Sequence, residues 1–265
     1  MNRILEKAQR YLMATEWQKL IDCFDSLPEK TQIGKMEMIE KAEELLQTSG
    51  VLSEQEPLRE AWDFSQEKER LVFCEERDLL IRPFTEADQQ AYYLIARQYA
   101  LSDMKEFFTD GMLLLWQDTM KEYAFYCMIE KAKTPIGYIA IKDTRKKEWE
   151  LAIELDEHYC CLGYGTQSIR LFLNAIQKKA GERVFVAKVE VDNIASQKCM
   201  EKIGAQLIGI TDGLLRGEAE KEAFESENLD SIDEHMRELA ARLGVEPRKL
   251  LSHVLKYRID VVKMT

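Results

Sequence analysis

Along this chain the spacing of apolar residues switches repeatedly between a period of two and a helical period, the mark of alternating strands and helices. The clearest strand is 149–156. There Trp149, Leu151, Ile153 and Leu155 fall on one side, and Glu150, Ala152, Glu154 and Asp156 on the other. Further strands are predicted over 79–83, 123–129, 136–142, 184–191, 206–210 and 255–261, and helices over 86–98, 102–116, 167–178 and 194–203. Thr85-Glu-Ala-Asp88 has the form of a capped helix start. In the last strand Leu255, Tyr257, Ile259 and Val261 share a face. Strands that alternate with helices in this way indicate an α/β or α+β domain.

Residues 1–76 read differently, as helical throughout. Ile4, Ala8 and Leu12, then Trp17, Leu20, Ile21 and Phe24, recur at helical spacing. Pro28 breaks the run, a third helix is predicted over 35–47, Gly50 stands where it would stop, and Ser53 can cap a further one. The segment holds no catalytic motif, so it is expected to be a helical module for packing or oligomerisation, compatible with a homodimer. Residues 77–265 are then the second domain. Within it, 212–250 carries Gly213, Gly217 and the acids Glu218, Glu220, Glu222, Glu225 and Glu227. It is expected to be an exposed, mobile insertion between the last two strands, with an amphipathic helix over 232–243 ended by Gly244.

Charge narrows the range of partners. A formal net charge of -11 argues against nucleic acid or an anionic membrane, because phosphate binding relies on excess Lys and Arg. It suits a cationic substrate better. No apolar run approaches the ~20 residues of a membrane span, and the N-terminal segment alternates charged with apolar residues, unlike a signal peptide. Cys23, Cys74, Cys127, Cys160, Cys161 and Cys199 form no CxxC, and the chain has 3 histidines. The expectation is a reduced cytoplasmic protein without a metal.

Leu162-Gly163-Tyr164-Gly165-Thr166 joins a strand to a helix. It reads as a plain tight turn or as a phosphate socket, in which glycines let backbone N–H groups converge and the helix N-terminus adds partial positive charge. It is neither a Walker loop nor a full dinucleotide fingerprint. The 79–88 opening, this turn and the block Asn193-Ile-Ala-Ser-Gln-Lys-Cys-Met-Glu-Lys-Ile-Gly204 occur in one order. Over residues 79–262 the chain thereby resembles the GNAT superfamily of N-acetyltransferases, particularly its ribosomal-protein N-terminal acetyltransferase branch.

The resemblance implies a twisted mixed β-sheet flanked by helices, with the 1–76 module and the 212–250 insertion added, and strands 149–156 and 184–191 splayed around acetyl-CoA. It implies a coenzyme A site at Leu155, Cys160, Cys161, Leu162, Gly163, Tyr164, Gly165, Thr166, Asn193 and Ser196. The family's Q/R-x-x-G-x-G/A loop falls on Cys160, Gly163 and Gly165, so Cys160 replaces its Gln or Arg and Cys161 its frequent next glycine. Backbone binding survives both changes, whereas an arginine contact to phosphate is lost. Asn193 or Ser196 also reads as a simple helix cap.

Acetyl transfer to an amine needs a proton acceptor and donors for the thioester oxygen. On the acidic face of 149–156, Glu150 is the first candidate base, matching the acid common in that branch, Glu154 the second and His158 the third; a merely solvated acidic face is the bland alternative. Relatives use a tyrosine after Asn193 to protonate the thiolate, where this chain has Cys199 and Met200, so that role falls to Ser196 or water. Cys199 reads as a small hydrophobe rather than an acetyl carrier. The expected function is transfer of acetyl from acetyl-CoA to a small-molecule amine or a protein N-terminus by direct attack. Two rivals stand beside it: a non-catalytic coenzyme A-binding relative, and a helix-turn-helix over 232–252 with Arg248, Lys249, Lys256 and Arg258 on DNA phosphates.

Overall fold

The period-two segments assemble into an eight-stranded sheet in the computed structural model, which describes residues 59–99, 116–213, 215 and 217–261. Of the helical segment expected over 1–76, residues 1–58 lie outside the described residues, as does all but the last residue of the helix expected over 102–116. The strands are β1 (Cys74–Glu76), β2 (Leu79–Pro83), β3 (Phe125–Lys131), β4 (Thr134–Ile141), β5 (Glu148–Leu155), β6 (Val184–Val189), β7 (Gln206–Asp212) and β8 (His253–Ile259). Their order in the sheet is β1-β2-β3-β4-β5-β6-β8-β7. The pairs from β1 to β5 are antiparallel, β5 and β6 are parallel, and β6 and β8 are antiparallel. β3 and β4 are joined by Ala132-Lys133, with φ of 47° and 69°, the left-handed pair whose twist suits a two-residue hairpin. Residues 74–76, expected to be helical, form a strand instead: Cys74↔Ile81 to Glu76↔Leu79 pair across a short turn.

Among the described residues, 116–119 are helical, and the helices with both ends described are α1 (Ser65–Lys68), α2 (Gln89–Ala96), α3 (Tyr164–Ala180), α4 (Ile194–Lys202), α5 (Glu218–Glu227), α6 (Glu234–Leu243) and α7 (Lys249–Ser252). The described residues 59–211 and 255–261 form one compact unit and 212–254 a second. In the first, the two sheet faces have different cores. The odd-numbered face of β5 buries Trp149 and Leu151 together with Phe185, and α3 brings Phe172 against Phe125, which stacks on Phe64 with ring centroids 4.2 Å apart. On the even-numbered face α2 lays Tyr92 and Ile95 over Phe84, Trp116, Met128 and Tyr138. The start of α2 is fixed by the predicted box: Thr85 and Asp88 cap each other, and Asp88 takes two 2.7 Å hydrogen bonds from Arg82.

The second unit corrects the reading of 213–227 as an exposed, mobile run of acids. Residues 218–227 are helical, because Lys221, Phe224 and Glu225 stand at i, i+3 and i+4 and turn one face inward. Phe224 is buried, and Lys221 is 2% exposed between Asp212 at 2.6 Å and Glu218 at 2.8 Å. The amphipathic helix is present as α6, capped by Asp233 and ended by Gly244 at φ 68°. The helix-turn-helix reading fails at its second helix: α7 has 4 residues and runs straight into β8. Two of its basic side chains, Arg248 and Lys249, already face the buried Glu225, and Lys256 is spent on Glu148 at 2.5 Å.

Candidate active site

The parallel β5–β6 ladder runs from Glu148↔Val184 to Leu151↔Ala187 and stops there. Beyond it β5 stays paired with β4 as far as Gly137↔Leu155, and β6 with β8 as far as Val189↔Leu255. Each strand keeps its outer partner while the two inner edges separate, which opens a wedge in the sheet. The sequence-expected splay of these two strands is at this point.

The chain leaves β5 through a tight, heavily hydrogen-bonded turn. Asp156 caps a single 3-10 turn by accepting from the His158 N–H at 3.0 Å. Gln98 bonds the same carboxylate and the Glu157 N–H, both at 2.9 Å. Cys160 is extended, with its thiol turned back toward the Asp156 carbonyl at 3.6 Å. Cys161 and Gly163 then take left-handed φ of 61° and 93°, and α3 begins at Tyr164. A helix that starts this way has N–H groups in its first turn with no intrahelical acceptor, and Gly163 supplies no side-chain cap. A Cβ placed on Gly163 would meet nothing within 4 Å, so there is open space beside the residue at which α3 begins.

The structure brings most of the predicted cofactor set together. A methyl on Gly165 would touch both Leu155 and Cys199 at 3.6 Å, and Thr166 Oγ1 lies 3.4 Å from Cys199 Sγ. The end of β5, the start of α3 and the flank of α4 therefore meet. Asn193 caps α4 by accepting from the Ser196 N–H at 3.0 Å, which meets the capping reading. Burial raises the Cys199 thiol above its ordinary value, with Thr166 opposing, so it is a neutral thiol at pH 7 and a poor acetyl carrier. Sequence reasoning missed Lys131. Its ammonium hydrogen-bonds the Tyr164 hydroxyl and stands 4.5 Å over that ring. It puts a cation beside the turn where Cys160 supplies none, and its place at a hairpin end gave no motif to find it by. Unspent donors, open space and this cation fit a diphosphate.

The candidate bases lie on the even-numbered face and differ sharply. Glu150 is held by Lys142 at 2.7 Å and Lys188 at 3.5 Å. Burial alone would raise its carboxyl, but these lysines outweigh it and hold it below the usual range. Glu154 stands opposite Tyr138 in the β4–β5 register. Burial raises it, while the Tyr138 hydroxyl and the more distant Lys142 pull the other way without reversing the shift. Its Oε2 is buried and has no hydrogen-bond partner among the described residues. His158 is exposed and bound to Asp156 at 2.9 Å, a pairing that raises its imidazole and holds it outside the wedge. A further acid, Glu190, was not anticipated. Burial and the neighbouring Asp192 push it up to about 7.

Among the described residues no helix is long and apolar enough to cross a membrane, and no group of three or more His, Cys, Asp or Glu is placed to hold a metal. Residues 78–206 match a family model described as an acetyltransferase (GNAT) domain. No curated protein matches the chain. Among solved structures, a variant of a spermidine N-acetyltransferase from Vibrio cholerae aligns with a TM-score of 0.49 at 14% identity, over 71% of this chain and 96% of its own. An acetyltransferase from Salmonella typhimurium that modifies the N-terminal serine of a 50S ribosomal subunit protein gives 0.48 at 16%, over 70% and 96%. A ribosomal-protein α-N-acetyltransferase in complex with coenzyme A gives 0.46 at 18%, over 71% and 96%. The family resemblance read from the sequence is borne out by the first of these findings.

Proposed function

We propose that this chain, whose residues 78–206 match the GNAT acetyltransferase domain model, transfers an acetyl group from acetyl-CoA to a primary amine, with Glu154 as the proton acceptor. The observation that carries the assignment is the buried, unpartnered Oε2 of Glu154 on the even face of β5, just past the end of the β5–β6 ladder. A carboxylate oxygen without a donor is costly to keep, and an ammonium supplies the missing donor. Burial raises the group, which brings its basicity closer to what proton abstraction near neutrality requires.

Acetyl-CoA, when bound, supplies an activated acyl group on a thiol that leaves readily. The chain's own groups do the rest. The first-turn amides of α3 and the 161–163 turn hold the diphosphate, helped by Lys131. Leu155, Gly165, Asn193 and Ser196 border the path from there into the wedge, where the ladder end on β5 leaves backbone donors for the thioester oxygen. Glu154 takes the ammonium proton. The freed lone pair of the amine then forms the N–C bond as the C–S bond breaks, and the sulfur departs as thiolate. The proton on Glu154 passes on to solvent, and the second proton, which the nitrogen loses as it becomes an amide, goes to that sulfur.

Glu150, the acid favoured by sequence, suits the role less. Its charge is neutralised by Lys142 and Lys188, so it serves better as an anchor for the lysine pair. Glu154→Gln is expected to lower kcat by about 10²–10⁴ with the affinity for coenzyme A unchanged, when a panel of amines and N-terminal peptides is scored for acetylated product by mass. Glu150→Gln should keep turnover within a few-fold. The reverse ranking of these variants would return the base role to Glu150, and a chain that acetylates no amine would sink the reading.

A further inference from the structure

The β5–β6 register fixes what faces what across the wedge. Its pairs from Glu148↔Val184 to Leu151↔Ala187 are in step, so continued past the ladder end the same step sets Ala152 level with Lys188 and Glu154 level with Glu190. The Lys188–Glu150 ion pair shows that the even positions of β6 share the face of Glu150, and alternation carries that face on to Glu190. By this extrapolation the two acids share a face and fall at the same step of two strands that have separated. Glu190 is half-buried. Its backbone carbonyl accepts the Asn193 N–H at 3.0 Å, but its carboxylate has no hydrogen bond or ion pair among the described residues. The nearby cations are otherwise engaged: Lys142 and Lys188 with Glu150, Lys256 with Glu148.

We propose that Glu190 is the second acid of the acceptor site, binding the incoming primary ammonium from the lip opposite Glu154. This rests on the acetyl-transfer reading above. A buried carboxylate without a cation prefers to be protonated, and the one charged neighbour that raises Glu190 further is Asp192, with the value reaching about 7. A bound ammonium would satisfy what the protein itself leaves unsatisfied. Because the site then offers two acids to one cation, with Glu150 already neutralised, the favoured acceptor is a monocation whose remainder is apolar or neutral. The neighbouring wall of Tyr126, Tyr138 and Tyr92 suits such a remainder.

The test is the pH dependence of kcat/KM for the best amine acceptor, between about pH 5.5 and 8.5, in the wild type, Glu190→Gln and Glu190→Asp. Calorimetry with coenzyme A alone serves as the control for folding and cofactor binding. The ionised form binds the cation, so the wild type should lose kcat/KM as pH falls through about 7. Glu190→Gln should raise the amine KM about tenfold or more and lose that acid limb, with coenzyme A affinity unchanged. Glu190→Asp should raise KM less and keep the limb, and it decides the matter if the Gln variant does not fold. A wild-type KM and acid limb in either variant would overturn the role of Glu190 while leaving acetyl transfer intact. A wild type inert towards every amine would overturn both.

Discussion

Gly137→Ala tests whether the site depends on the position of the β5 backbone. Gly137 lies opposite Leu155 in the β4–β5 register. An added Cβ there would stand 2.4 Å from the Glu154 carbonyl oxygen and 2.5 Å from a Leu155 methyl. The methyl can swing aside, but the carbonyl belongs to the strand. Ordinary contact requires a shift of about 1 Å, in β4 or in the segment that carries Glu154. Overpacking of this kind costs about 1–3 kcal/mol, or roughly 2–12 °C in Tm for a unit of this size. A displacement of about 1 Å at a reacting group costs about 10²-fold in rate. The expected result is a folded protein with lower Tm, coenzyme A affinity within a few-fold of wild type, and kcat reduced about a hundredfold. Differential scanning calorimetry, coenzyme A titration and steady-state kinetics on one preparation separate these effects. Wild-type Tm together with wild-type kcat would show that the end of β5 yields freely and that the site is not held by this contact.

Two further outcomes follow from other parts of the molecule. Gly163→Val puts a β-branched residue at φ 93°, a conformation that costs about 1–2 kcal/mol or more for a side chain, and fills the open space beside the start of α3; coenzyme A titration should show affinity down at least tenfold while acceptor specificity is retained. Asp88→Asn removes the carboxylate that Arg82 grips and should cost about 3 kcal/mol by denaturant unfolding. Burial alone would raise Asp88, but Arg82 and Thr85 outweigh it and hold the carboxyl low. Its contribution is therefore full above about pH 4 and is lost as pH falls through its lowered folded value, so the variant's stability should fall less steeply in acid than the wild type's.

The strands were legible because their alternation is strict. In 149–156 every large apolar residue is odd-numbered, and the strand found is Glu148–Leu155. The Asn193 cap and the Gly244 stop were equally plain, since each rests on local backbone chemistry. What failed to show were relations between distant residues. Spacing gives Glu150 and Glu154 the same face and the family resemblance put Glu150 first, but neither says anything of Lys142, just past the end of β4, or of Lys188 on β6. Lys131 lies at a hairpin end and Glu190 at a strand end, and neither belongs to any motif. The acids of 218–227 looked like solvated charge, because a string of glutamates hides the one face on which Lys221, Phe224 and Glu225 turn inward.

Gln98 follows the helix that roofs the tyrosine wall, yet its amide grips Asp156 and Glu157 at the root of the phosphate turn. On the acetyl-transfer reading proposed above, one side chain thereby ties the helix beside the acceptor to the turn that would hold coenzyme A. Thermodynamic reciprocity then requires that whatever the acceptor does to coenzyme A affinity, coenzyme A does equally to the acceptor's. Shortening this amide tether would make the two ligands strangers to each other.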